Sequence, residues 1–259
     1  MSRGSLDKSL LLRIHNDLPD LKELQNIILG FSVDFVSIAF PPESSIPVAT
    51  VCLQDATHTL AEARYALHEC LAHKIWYEEE VEPRDDLASV FFGRFYIDDT
   101  ALRLFSANEH FINAIMFMLE LESKQLKKYK QSRDSSRLSL IERFLLSEQP
   151  HHPLIKTIAK LTKSQEWQDT IEYRNRWVHT QPPTIKGFGM VYERRKRWKK
   201  DSKSYILTAG GGDTPEYSID DLIGFVQPAL FNFTDTLLSA SKYYVELLNL
   251  HGIRSAKTD

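Results

Sequence analysis

Cysteine is scarce: Cys52 and Cys70 are the only two in 259 residues. Two thiols cannot build a disulfide framework or a four-cysteine zinc site, so a reducing, cytoplasmic setting is expected. Long apolar runs are lacking as well. None approaches the roughly 20 residues that span a bilayer, so no membrane partner is expected. Arg3, Asp7, Lys8 and Arg13 interrupt the first apolar residues, which removes the pattern of a signal peptide. No repeat is apparent, and a net charge of −3 excludes a strongly basic or acidic chain. Metal and cofactor motifs are missing too. In HECLAH (68–73) the histidines are five apart, where the H-E-x-x-H zinc helix needs four to place both ligands on one face. GGG at 210–212 has no following Lys-Ser/Thr and reads as the exit of a strand. No metal and no cofactor are expected.

Helical periodicity is what the chain does have. A helix is expected over 6–28, interrupted near Pro19. In 55–79, Leu60, Ala63, Leu67, Cys70 and Leu71 recur at spacings of three and four, and 98–123 aligns Leu104, Phe105, Asn108, Phe111 and Ile115 in the same way. Shorter helices are expected at 138–147 and 153–161. The helix at 164–179 ends ahead of Pro182 and Pro183, and a long one begins at Ser218, with Asp221 placed to cap it and Pro228 inside it. Two stretches read as β-hairpins. SVDFVSIAF (32–40) and VATVCL (48–53) flank the turn-like PPESSIP, and GFGMVYE (187–193) and SYILTA (204–209) flank a basic run. An isolated hairpin is marginal in water, so the two are expected to join, with Val33, Phe35 or Val36 near Met190 or Ile206. The fold class is mainly α. Residues 1–54 form a helix-plus-hairpin appendage, 55–250 a helical bundle with an inserted hairpin at 187–209, and 251–259 a flexible tail.

Charge is unevenly placed. Residues 191–205 hold seven Lys/Arg against two acids, a local +5 that leaves −8 for the rest of the chain. Arg194, Arg195, Lys196, Arg197, Lys199 and Lys200, with Trp198 among them, suit an RNA backbone and a stacked base. Such a run is equally expected as a solvated loop that keeps a sheet edge soluble.

The most informative stretch is EYRNRWVHT (172–180). At 100° per residue Trp167, Ile171, Arg174 and Val178 form one stripe, so an arginine stands where an apolar residue belongs. His179 lies about 140° round the helix from Arg174. On an ideal helix the two do not stack, and fraying or a second copy of the helix is needed to join them. With 15 Arg and 9 His in the chain, such spacings arise by chance, and Arg103…His110 is a second instance. Only the first has an asparagine next to the arginine and a helix end beside the histidine.

R-N-x-x-x-H closing a helix, with long helices before and after it, resembles the HEPN superfamily. The resemblance covers about residues 55–250, and its specific part is Arg174, Asn175 and His179. It implies a helical bundle in which arginine and histidine from two subunits meet and cleave RNA without a metal. His179 would be general acid or base, Arg174 would hold the scissile phosphate, and Asn175 would orient the pair. A further polar residue on the preceding long helix is implied, for which Asn108 is the first candidate and Glu109 the second. The expected partners are RNA, a second copy of the chain and, as toxins and defence effectors of this kind have, a cognate antitoxin. Gln181 stands where some members carry a tyrosine that a partner modifies, so that form of regulation is not expected. The alternatives are a catalytically inactive module of the same fold that binds nucleic acid or a partner protein, and a purely structural helical protein. In the latter, Arg174 pairs with Glu172 or Asp169, and His179 serves the helix C-terminus.

Overall fold

The computed structural model describes residues 4–130, 136–179, 182–187 and 215–253. The described residues are mainly α-helical, and among them the one isolated β-bridge is a parallel pairing of Ile185 with Tyr217. Three short helices lead: α1 (Lys8–Asn16), capped by the Asp7 carboxylate, α2 (Lys22–Ile28) and α3 (Val33–Ile38). Two long helices follow, α4 (Ile46–Ile75) and α5 (Asp86–Met118), the second capped by Asp85. Cys70 reaches the carbonyl of Gly93, Glu62 pairs with Arg103, and Asp55 faces His110. Partners thus move down one helix as they move up the other, so α4 and α5 form an antiparallel hairpin.

The hairpin expected over 32–53 is not a β-hairpin. Val33–Ile38 is α3, and residues 46–53 open α4, which runs through residues 54 and 55 without a break. The β-branched residues that suggested strands are a weak prior that packing overrides. Ala49, Thr50, Leu53, Ala56, Leu60 and Ala63 continue one buried stripe at spacings of three and four. Pro47, counted above as turn chemistry, lies in the first turn of α4, where its missing N–H costs nothing. Residues 188–214, with Met190, Ile206 and the basic run, lie outside the described residues. So does any pairing of the two expected hairpins.

The remaining α-helices among the described residues are α6 (Ser123–Leu126), α7 (Arg137–Glu148), α8 (Leu154–Thr162), α9 (Gln165–His179) and α10 (Ile219–Leu250). Ser218 and Asp221 form the expected capping box, and α10 passes through Pro228. Leu222, Val226, Leu230, Phe233 and Leu237 bury its inner face against α5, α8 and α9. At Gly93 a Cβ would stand 3.1 Å from Ile219, so the missing side chain lets α10 start close against α5. One apolar core extends from Leu18 to Ile253, and Leu18, Leu21, Leu24, Ile28, Phe31, Val36 and Phe40 belong to it. Ile253 is buried and the His251 ring lies against Phe40 at a tilt, centroids 4.5 Å apart, so the expected tail begins with packed residues.

Candidate active site

α9 is positioned from its buried side. Trp167, Thr170 and Tyr173 are the residues it buries, one step round from the stripe expected above. Trp167 stacks on Phe233 of α10 with ring centroids 5.3 Å apart. The Tyr173 hydroxyl and the Trp177 indole donate to Asp98 of α5, which Arg94 also approaches at 3.5 Å. Burial pushes the Asp98 carboxyl above the ordinary carboxylate range, and these donors work against that shift.

Arg174 is therefore at the edge of the packed face, not within it. Its guanidinium carbon lies 3.7 Å from the ring centre of Phe105, a cation–π contact that supports the planar group from below. Nη1 donates to Asn175 Oδ1 at 3.0 Å and stands 3.3 Å from His179 Nε2. The long arginine stem spans what the helix angle separates, and one chain is enough to bring the pair together. Arginine has only donors, so in this contact Nε2 is the acceptor. Neither Glu172 nor Asp169 forms an ion pair with Arg174 among the described residues. Desolvation lowers the Arg174 pKa, and the nearby charge of Glu109 opposes it. Arg174 Nε is buried with no hydrogen-bond partner.

Beside this corner opens a cleft of about 820 Å³ between α5, α7 and α9. Asn175 and His179 line it, with Phe105 and Asn108 from α5 and Leu138 and Ser139 from α7. Asn108 is 8% exposed, and its Oδ1 is a second buried atom without a partner. Among the sequence candidates, Arg174, Asn175, His179 and Asn108 thus share one neighbourhood, and Glu109 acts on it through charge. Phe105 was visible in the sequence only as part of an apolar face. Its spacing of three before Asn108 was the available signal for a platform.

The basic run Arg194, Arg195, Lys196, Arg197, Trp198, Lys199 and Lys200 lies outside the described residues. Its flanks do not. Lys186 N donates to Tyr217 O at 2.8 Å, Glu216 N to Thr184 O at 3.0 Å, and Arg176 of α9 pairs with Glu216 at 2.6 Å. The chain thus leaves and re-enters the described structure at one place beside α9.

The other histidine groups differ. Glu69 is approached by His68 at 3.3 Å and by His73 at 3.9 Å, and His73 stacks with Phe92 and Tyr96. Among the described residues no group of three or more His, Cys, Asp or Glu is arranged to hold a metal, and no helix is long and apolar enough to cross a membrane. No protein-family model, curated protein or solved structure matches the chain.

Proposed function

We propose that the protein is a metal-independent endoribonuclease of HEPN type, with Arg174 and His179 as its catalytic residues. The observation that carries the reading is the contact of the Arg174 guanidinium with His179 Nε2, 3.3 Å apart beside an open cleft. With Arg174 turned from Nε2 onto the phosphate, a neutral His179 imidazole can take the proton of a ribose 2′-OH at Nε2 as that oxygen attacks the adjacent phosphorus. The bond to the 5′ oxygen breaks, leaving a 2′,3′-cyclic phosphate and a 5′-hydroxyl. Arg174 supplies a fixed charge to the phosphate oxygens. Asn175 fixes the guanidinium by accepting from Nη1.

A second copy of the chain supplies the second histidine that general acid catalysis needs. An apolar surface suits this contact. Leu87, Phe91 and Phe95 are exposed along α5, and Val178 is exposed on α9 next to Trp177, whose partner Asp98 lies one turn from Phe95. The clasp at 184–186 and 216–217 holds the ends of the segment bearing the basic run beside α9, which favours a role for that run on the RNA backbone.

The test is cleavage of single-stranded RNA in excess EDTA by protein that sediments as a dimer. The expected products carry cyclic phosphate ends, and His179→Ala abolishes them while the fold persists. RNA that stays intact but bound by the wild type gives the protein the role of an inactive binding module. Cleavage that needs a divalent ion, or that survives His179→Ala, removes the assignment.

A further inference from the structure

The cleft is larger than a reacting phosphate needs, and its lining is of the wrong kind for one. Arg174 stands beside the cleft, and the two arginines that line it are engaged elsewhere: Arg143 donates to the Tyr129 carbonyl at 3.0 Å, and Arg176 pairs with Glu216 at 2.6 Å. Glu172 adds a carboxylate to the wall. The rest is apolar or neutral, with Phe105, Leu138, Trp167 and Ile171 giving flat and aliphatic surface beside amides and hydroxyls. At about 820 Å³ it falls in the range of sites for small organic molecules, roughly 300–1,000 Å³.

We infer that this cleft seats one unpaired nucleobase of the RNA strand, with Asn108 reading its edge. The inference rests on the ribonuclease reading for the source of the base. Asn108 carries the specificity. It lines the cleft, it is 8% exposed, and its Oδ1 is buried without a donor. The terminal torsion of an asparagine is broad, so the amide turns readily toward an N–H entering the cleft. A carboxamide offers one acceptor and two donors, the complement of a base edge, whereas a phosphate presents only acceptors. Asn175 and His179 line the same cleft, so a base seated there has its ribose and phosphate at the Arg174–His179 corner. Sequence-specific readers of RNA take unpaired bases in this way, stacking the face and hydrogen-bonding the edge. A base that leaves the buried amide unpaired binds about tenfold more weakly or worse.

The experiment measures binding of the four nucleoside 3′-monophosphates to the full-length His179→Ala protein by calorimetry, and maps the cut sites of the wild type on a random-sequence RNA. One base is expected to bind about tenfold tighter than the weakest, and the same base is expected at a fixed position beside the cuts. Asn108→Leu should bring the four within about twofold of each other. If that variant does not fold, Ser139→Trp, a half-buried position on the cleft rim, should instead weaken the preferred nucleotide to the level of the others. Cleavage without base preference overturns the base site and leaves the ribonuclease standing. Selective binding by a wild type that cuts nothing keeps the base site and removes the ribonuclease. Equal binding of all four, no binding, or a preference that survives both variants overturns the inference.

Discussion

Arg174…His179 and Arg103…His110 offer the same residue types at similar spacing, and the fold treats them in opposite ways. Arg103 is neutralised, with Asp99 at 2.8 Å and Glu62 in direct contact, and His110 looks away toward Asp55 at 4.0 Å. Arg174 forms no ion pair among the described residues: it touches a ring, an amide and an imidazole, and Glu109 acts on it only through charge. A phosphate must displace two carboxylates to reach the first arginine and none to reach the second. Sequence spacing does not distinguish them. What separates them is which neighbours the helices bring: α4 brings Glu62 and α5 itself Asp99 to Arg103, while α5 brings Phe105 beneath Arg174.

The sharpest way to break that contrast is a pair of substitutions. Arg174→Ala should lower single-turnover cleavage by about 10²–10³, the usual loss when a donor to developing charge is removed. Arg103→Ala should leave cleavage within about twofold of wild type and cost no more than about 1 kcal/mol in urea unfolding, because its ion pairs are near the surface. Equal losses from the two variants, with the fold intact, would show that the carboxylates around Arg103 do not silence it.

A smaller effect is expected at the platform. Phe105→Ala leaves both catalytic groups in place but removes the ring beneath the guanidinium. Cation–π contacts contribute about 0.5–2 kcal/mol, so cleavage should fall by up to about 30-fold. Phe105→Tyr should restore most of it. Full activity in Phe105→Ala would mean that Asn175 alone fixes the arginine.

The smallest change is in the pH dependence of stability, through the latch that seats α9. Burial raises the Asp98 pKa in the folded protein, so between its unfolded and folded values the native state binds more protons than the unfolded one. Stability from this group is therefore fully present below the ordinary carboxylate value and is lost as pH rises through the folded one. Asp98→Asn should remove that decline. The difference in unfolding free energy between variant and wild type, followed from pH 3 to 7 in urea, should slope in favour of the variant as pH rises. A flat difference curve would show that the donors from Tyr173 and Trp177 cancel the burial.

Much of the bundle was legible from side-chain spacing. Leu60, Ala63, Leu67 and Cys70 are buried as their periodicity requires, as are Leu104, Asn108, Phe111 and Ile115, with Phe105 half-buried at the cleft, and the box at Ser218 caps α10. The start of α5 at Asp86 was not legible, since Gly93 and the aromatics around it weaken a helical signal that packing against α10 restores. The first hairpin failed for a related reason: Val48 and Val51 are exposed on a helix that buries Ala49, Thr50 and Leu53. At the site, residue types were legible and their contact was not. An angle of 140° describes where two side chains leave the backbone, and it says little about where a long arginine ends.

The clasp beside α9 has a consequence for how the chain can vary. Because the pairing of Ile185 with Tyr217 already brings the two flanks together, the entropy of closing that loop grows only as the logarithm of its length, about 0.6 kcal/mol per doubling. Whatever stands between the flanks can be lengthened, shortened or exchanged at little thermodynamic expense to α9 and α10. The bundle thus resembles a socket whose insert can be re-specified while the arginine and histidine keep their places.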